Sequence, residues 1–291
     1  MNEMSEVGKM TAGALLRECT ASLAESGNDN AKFDAQQLLM RFCGVTRNDI
    51  VLFPNLEITE EQVRAVRGGV SRRNSGEPLQ YILGEWEFYG LRFEVGEGVL
   101  IPRQDTETVV ETALKYLREH GGNPVAADLC AGSGCIGITL AKLTGIPVKL
   151  LELSEQALSY LSRNIALHGA EDLCEAIHAD VLSEQTAVRM PQFDLIVTNP
   201  PYLTSWDMRA LQKEVTYEPT MALYGGEDGL DYYRGIVPLW GAKLKPGGML
   251  AAEVGKGQHL GVTRIFEENG LRTGSEKDLC GVIRVVYGIK Q

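Results

Sequence analysis

The sequence predicts an α/β fold: a mostly parallel sheet with helices on both faces, an antiparallel pair of strands at its end, and a small helical bundle in front. Three observations predict it. From residue 105 onward, segments of helical and strand character alternate, which is the pattern of parallel strands joined by crossover helices. The last two strand-like segments are separated by a gap too short for a helix, so they pair antiparallel at the sheet edge. Residues 10–74, by contrast, carry apolar side chains at three- and four-residue spacing throughout. A chain of 291 residues has room for two such units of unequal size.

The first unit, read as residues 1–75, shows one stripe at Leu15, Leu16, Cys19 and Leu23 and another at Phe33, Ala35, Leu38, Leu39 and Phe42. Asn28 or Asn30 is placed to cap the second helix, and Gly44 follows its end. Thr59-Glu60-Glu61-Gln62 is a capping box that opens a helix bearing Val63, Val66 and Val70. Arg41, Arg47, Arg64 and Arg72 read as solvated faces of this bundle, which is expected to dock a protein substrate. Residues 76–104 read as a connector whose period shifts toward two over 86–95, with Gly90 at the turn of a short hairpin. Residues 105–291 hold the sheet, with helices expected over 106–119, 134–143, 155–168, 228–244 and 258–269. Strands are expected over 124–129, 148–153, 176–179, 193–198 and 249–254, near Leu271, and over 282–287.

Composition narrows the function. No apolar run reaches the ~18 residues of a membrane span. Residues 1–10, with Glu3, Glu6 and Lys9, lack the apolar stretch of a secretory signal, so a cytoplasmic protein is expected. The cysteines Cys19, Cys43, Cys130, Cys135, Cys174 and Cys280 form no CxxC pair and no Cys/His cluster with zinc-ligand spacing, so no metal is expected. A net charge of −11 makes the chain a poor partner for nucleic acid, whose affinity comes from Lys and Arg neutralising phosphates. Arg64, Arg67, Arg72 and Arg73 form a local basic set.

Two stretches carry chemistry. The first runs from a strand through Asp128-Leu129-Cys130-Ala131-Gly132-Ser133-Gly134 into a helix. In a doubly wound sheet that turn lies at the carboxyl end of the strand, where ligands bind, and Gly132 and Gly134 allow tight turning and close approach. The next strand ends at Glu152, a carboxylate placed to accept hydrogen bonds from both hydroxyls of a ribose. No Gly-Lys-Ser/Thr follows, so the loop is no P-loop. Gly137 stands where a dinucleotide fingerprint has its third glycine, which keeps a nicotinamide enzyme in view. Asp128 argues against it, since a carboxylate suits the cationic methionyl end of S-adenosylmethionine better than a pyrophosphate. After the third strand, Asp180 and Val181 are placed to meet an adenine amino group and ring.

The second stretch is Asn199-Pro200-Pro201-Tyr202, which follows the buried strand 193–198. Both prolines have fixed φ and no amide donor, so they hold the corner rigidly and leave its carbonyls available. Amide methylation requires such a corner. An amide nitrogen is a poor nucleophile because its lone pair is delocalised into the carbonyl. Two acceptors, the Asn199 side-chain oxygen and the Pro200 carbonyl, can hold its N–H bonds and aim its lone pair at a methyl donor. Tyr202 offers a flat face for the planar group. Alone, Asn-Pro-Pro-Tyr is an ordinary turn. Its place after a strand in the same sheet as the glycine loop marks it as catalytic.

These residues resemble the Rossmann-like, seven-stranded class I S-adenosylmethionine-dependent methyltransferases in their Asn-Pro-Pro-Tyr branch. Within it the whole chain resembles the bacterial release factor glutamine methyltransferases (HemK/PrmC family). The similar segments are Gly76 to Gly84 with Phe88, Ile101 to Glu107, Glu218-Pro219, and Ala222 to Leu230. The resemblance implies a peptide-chain release factor as partner and substrate, methylated at N5 of the glutamine in its Gly-Gly-Gln tip. It further implies that Cys130 to Gly134, Glu152, Val181 and Asn199 line the cofactor, while Asn199 to Tyr202 hold the glutamine. The family usually has Gly and Thr at the positions of Cys130 and Ala131, and Asp at that of Glu152. The same motif serves enzymes that methylate adenine N6 in DNA or RNA, but a chain with 39 acidic and 28 basic residues and no target-recognition domain is a poor fit to them. Glutamine methylation of a ribosomal protein is a competing reading, and so is a cofactor-binding module without catalysis.

Overall fold

A computed structural model describes residues 9–291, and the chain divides into two compact units, Met1–Gly84 and Glu85–Gln291. The expectation of no secretory signal rests largely on residues 1–8, which lie outside the described residues.

The first unit holds α1 (Ala12–Glu25), α2 (Ala31–Cys43), α3 (Arg47–Leu52), α4 (Glu60–Asn74) and α5 (Leu79–Leu83). Helices α1, α2 and α4 pack together around the fully buried Leu15, Leu23, Leu38, Leu39 and Val66. Thr59 and Gln62 form the expected capping box, and Gly44 closes α2 in the left-handed conformation at φ 68°. Phe33 departs from its expected stripe and is 47% exposed. Two positions from Ala35, it lies about 200° round the helix, on the opposite face. The basic set is neutralised: Arg64 pairs with Glu60, Arg67 with Glu18, Arg72 with Glu77, and Arg73 with the buried Asp34.

The second unit opens with a hairpin of β1 (Glu85–Phe88) and β2 (Leu91–Glu94). Tyr89 and Gly90, at φ 52° and 74°, make its two-residue turn, as the strand twist favours. Then follow α6 (Glu107–His120), β3 (Ala126–Leu129), α7 (Cys135–Thr144), β4 (Val148–Glu152), α8 (Glu155–Leu167), β5 (Cys174–His178), α9 (Glu184–Arg189) and β6 (Phe193–Thr198). The chain ends with α10 (Thr220–Leu223), α11 (Asp231–Gly241), β7 (Leu244–Glu253), α12 (His259–Glu268), β8 (Leu271–Lys277) and β9 (Ile283–Lys290). Helices α3, α9 and α10 have six residues or fewer, too short to show a helical period in sequence.

The strands form one seven-stranded sheet in the order β5-β4-β3-β6-β7-β9-β8. β3 to β7 run parallel, and β9 is antiparallel to both β7 and β8. The terminal hairpin therefore enters with its last strand on the inside. Successive strand residues feed opposite cores: Leu150, Leu195 and Val197 pack on one face, Leu151, Ile196 and Leu250 on the other. β7 starts earlier than expected, at Leu244, which pairs with Phe193 ahead of a break in register before Leu195. From β3 the chain builds outward through β4 and β5, then returns to β6 on the other side. This reversal leaves a crevice at the carboxyl ends of β3 and β6.

Candidate active site

Strand register assembles the site. Leu129 pairs with Leu151 on one side and with Thr198 on the other. Glu152 pairs with His178, and Thr198 with Ala252. The residues at or just past these pairs, Cys130, Glu152, Asp180, Asn199 and Glu253, are thereby aligned along one edge of the sheet. There a cleft of about 880 Å³, part of it open to solvent, is lined by Cys130 to Ser133, Glu152, Asp180, Val181, Asn199, Pro201 and Tyr232.

The loop after β3 is held by backbone and carboxylate. Cys130 stands at φ 59° and Gly132 at φ 55°, both left-handed. For cysteine that conformation costs ~1–2 kcal/mol, which glycine avoids. The Ala131 N–H bonds the Leu151 carbonyl at 3.0 Å, and the Thr198 hydroxyl donates to the Leu129 carbonyl at 2.8 Å. Glu152 accepts the Gly132 N–H at 2.8 Å and the Ser154 N–H at 2.7 Å, so one carboxylate fixes both the loop and its own strand end. A Cβ added at Gly132 would meet open space, so nothing in the protein fills that side of the loop. Val181 is pinned by the buried Trp240, whose indole N–H donates to its carbonyl at 2.8 Å.

Asp128 and Gly134 do not line the cleft. Asp128, expected to face a cationic ligand group, turns beneath the loop, fully buried, and accepts the Gly137 N–H of α7 at 2.8 Å. Burial, with Glu152 nearby, pushes its carboxyl up to about 7 against the pull of that N–H. Gly137 has a packing role: a Cβ there would lie 2.8 Å from Leu150 and 3.0 Å from Asp128. It lets the helix sit on the strand, so its dinucleotide-like spacing has no phosphate to explain. Gly134, at φ 83°, begins α7.

Asn199 also lines a second cleft, of about 550 Å³, together with Pro200, Tyr202, Leu100, Arg103 and Val215. It thus stands in the partition between two clefts. Its Nδ2 donates to Thr106 Oγ1 at 3.3 Å. Among the described residues no group donates to the Pro200 carbonyl, so that acceptor is available. The Tyr202 hydroxyl donates to Glu253 Oε1 at 3.1 Å, and its backbone carbonyl accepts from Gln258 Nε2 at 2.9 Å.

Several residues that matter here were assigned no role from the sequence. Glu253, 1% exposed at the end of β7, is driven up to about 7 by burial, against Thr106, Tyr202 and Arg284, which favour its charge. Glu218, also buried, accepts the Ile101 N–H at 3.0 Å and pairs with Arg103, tying the segment after β6 to the rim of both clefts. The buried Asn164 of α8 donates to the Ser133 carbonyl at 2.9 Å and bonds the Glu94 backbone, bracing the glycine loop against the β1–β2 hairpin. Gly225 lies so close that a Cβ would meet the Pro201 carbonyl oxygen at 2.5 Å and Tyr202 Cα at 2.6 Å. The family-like segment 222–230 contains this glycine, but its contact with the corner is visible only in three dimensions.

A sheet of this order, with a glycine loop after its first strand and a proline-locked corner after its fourth, defines a methyltransferase. Residues 106–218 match the methyltransferase small domain, and residues 14–84 match the PrmC N-terminal domain. A solved methyltransferase from Pyrococcus furiosus shares the fold at a TM-score of 0.51 and 17% identity, over 70% of this chain and 90% of that one. Over 270 residues the chain is 43% identical to the release factor glutamine methyltransferase of Geobacter sulfurreducens, covering 91% of this chain and 92% of the relative. The enzyme of the same name from Clostridium botulinum is 36% identical over 279 residues, 95% of this chain and 98% of the relative. The chain belongs to the release factor glutamine methyltransferase family. Among the described residues no helix is long and apolar enough to cross a membrane.

Proposed function

We propose that this protein transfers a methyl group from S-adenosylmethionine to the side-chain amide nitrogen of the glutamine in the Gly-Gly-Gln tip of peptide-chain release factors. The position of Asn199 between the two clefts is the observation that carries this function. A donor in one cleft and an amide in the other meet at that side chain.

The residues of the larger cleft fit the donor. Glu152 and Asp180 give the wall acidic acceptors, which suit ribose hydroxyls and a cationic ligand and would repel a pyrophosphate. The open face of Gly132 leaves space beside the Glu152 carboxylate, and Val181 with Tyr232 offers apolar surface for a flat base. When bound, S-adenosylmethionine supplies a methyl group already activated on a sulfonium. Asn199 Oδ1 and the Pro200 carbonyl then accept the two N–H bonds of the glutamine amide and favour its nitrogen as it becomes tetrahedral. Tyr202, held at its hydroxyl by Glu253 and at its backbone carbonyl by Gln258, places its ring as a wall for the planar group. Pro200 and Pro201 keep the acceptors in place at no entropic cost during the reaction. No strong base is needed, because the proton can leave after the methyl has moved.

The first unit is read as the docking surface for the release factor. Its exposed run Val51, Leu52, Phe53 and Leu56 supports this role. Mass spectrometry of a release factor before and after incubation tests the function: the tip glutamine should gain one methyl group. Methylation of a ribosomal protein instead, with the release factor untouched, would overturn it. Asn199→Ala should lower the rate about a hundredfold or more, as loss of one preorganised transition-state partner does.

A further inference from the structure

The geometry points to Glu253 and Thr106 as positioning residues that set which edge of the Asn199 amide faces the glutamine, an inference that rests on the methylation function above. An asparagine side chain has nearly the same shape either way round, so shape alone does not decide whether it offers an acceptor or a donor. The difference is decisive for this reaction. The glutamine nitrogen carries two N–H bonds and needs an acceptor at Asn199.

The polarity is imposed from behind. Glu253 ends β7 next to the corner, since Ala252 pairs with Thr198. Its side chain is buried, and its Oε1 accepts a hydrogen bond from the Tyr202 hydroxyl at 3.1 Å. Its Oε2 is buried without a hydrogen-bond partner. Thr106, 1% exposed, lies beside this carboxylate and acts on its charge. Above about pH 7 Glu253 is ionised and only accepts, so there the single Thr106 hydroxyl proton is drawn toward it, and the variants are compared at pH 8.5. Thr106 then has only lone pairs to offer Asn199. That matches the observed contact, in which Asn199 Nδ2 donates to Thr106 Oγ1. With its NH₂ group held there, Asn199 has Oδ1 left to present to the substrate. Arg284 and Asp105 also act on Glu253, the first favouring its charge and the second opposing it.

Reversing the relay at its source without changing its shape is the direct test. In Glu253→Gln the new amide can donate to Thr106, which frees the hydroxyl proton for Asn199 and favours the flipped orientation. Turnover of the release factor by Glu253→Gln and by Thr106→Val is expected to fall about tenfold to a hundredfold, by analogy with loss of a preorganised partner. The dissociation constant for S-adenosylmethionine, measured by calorimetry, should stay within about twofold of wild type. Thr106→Ser keeps the hydroxyl and should restore most of the turnover. A readout free of any substrate is the exchange of the Asn199 side-chain NH₂ protons, followed by ¹⁵N NMR. They should be protected in wild type and in Thr106→Ser and exposed in Glu253→Gln. Equal protection in all three proteins would overturn the relay whatever the substrate proves to be. So would wild-type turnover in Glu253→Gln. Failure of the wild-type enzyme to methylate a release factor would count against the proposed function and leave the exchange result to judge the relay.

Discussion

Replacing Gly225 with alanine should damage catalysis while sparing the donor cleft. The added Cβ would stand 2.5 Å from the Pro201 carbonyl oxygen, where ordinary contact begins at 3.4 Å. The nearest atoms are backbone of Pro201 and Tyr202, which cannot swing aside as a side-chain end would. The corner must therefore move by about 0.9 Å, the difference between those two distances. A displacement near 1 Å at a reacting group costs on the order of a hundredfold in rate, and overpacking of this kind costs ~1–3 kcal/mol of stability. Residues 130–133 and Glu152 are not among the nearest atoms, so donor affinity should change little. The assay is single-turnover methylation of a release factor, beside calorimetric titration of S-adenosylmethionine and thermal unfolding. A Gly225→Ala enzyme with turnover within about threefold of wild type would refute the coupling between this glycine and the corner. Loss of donor binding in proportion to turnover would also refute it.

Stability should depend on pH through Asp128 and Glu253. Both carboxyls are raised by burial to about 7, from ordinary values of 3.8 and 4.5, so the folded state binds their protons more tightly than the unfolded chain does. Their contribution is full below about pH 4 and is lost as pH rises through about 7, by ~4 kcal/mol for Asp128 and ~3 kcal/mol for Glu253. The urea midpoint should fall between pH 5 and 8, and Glu253→Gln should remove about half of that fall; a flat profile would contradict the burial argument. At Cys130, valine should be poorly tolerated because β-branched residues avoid positive φ, costing ~2 kcal/mol or more and weakening donor binding. Glycine there should be nearly neutral, since relief of ~1–2 kcal/mol of strain is offset by a similar loss of buried side chain; calorimetry and thermal unfolding of both variants decide. Changing Leu52 and Phe53 together to serine should raise KM for whole release factor several-fold without altering donor affinity, and an unchanged KM would remove the docking role of the first unit.

Local features of the chain were legible because their causes are local. The Thr59–Gln62 capping box acts over three residues, the hairpin turn at Gly90 over two, and the alternation of strands and helices over windows of about a dozen. The glycine loop and the proline corner could be read for the same reason: their backbone demands are written in adjacent residues. Short elements such as α3, α9 and α10 escaped because one turn of helix shows no period. Phe33 misled because apolar character marks a preference for burial, and the helix rotation decides whether it is met.

Only the tertiary structure put the two motifs on neighbouring strands. Leu129 and Thr198 are far apart in sequence and pair because β6 joins the sheet beside β3, a choice made by packing both faces of the strands. Contacts beyond that pairing turned Asp128 inward to α7, put Gly225 against Pro201, and brought Thr106 to the Asn199 amide and to Glu253. A residue's type says what it can bond. Which partner it meets depends on strand register and burial, and those are settled by contacts between segments that carry no trace of one another in sequence.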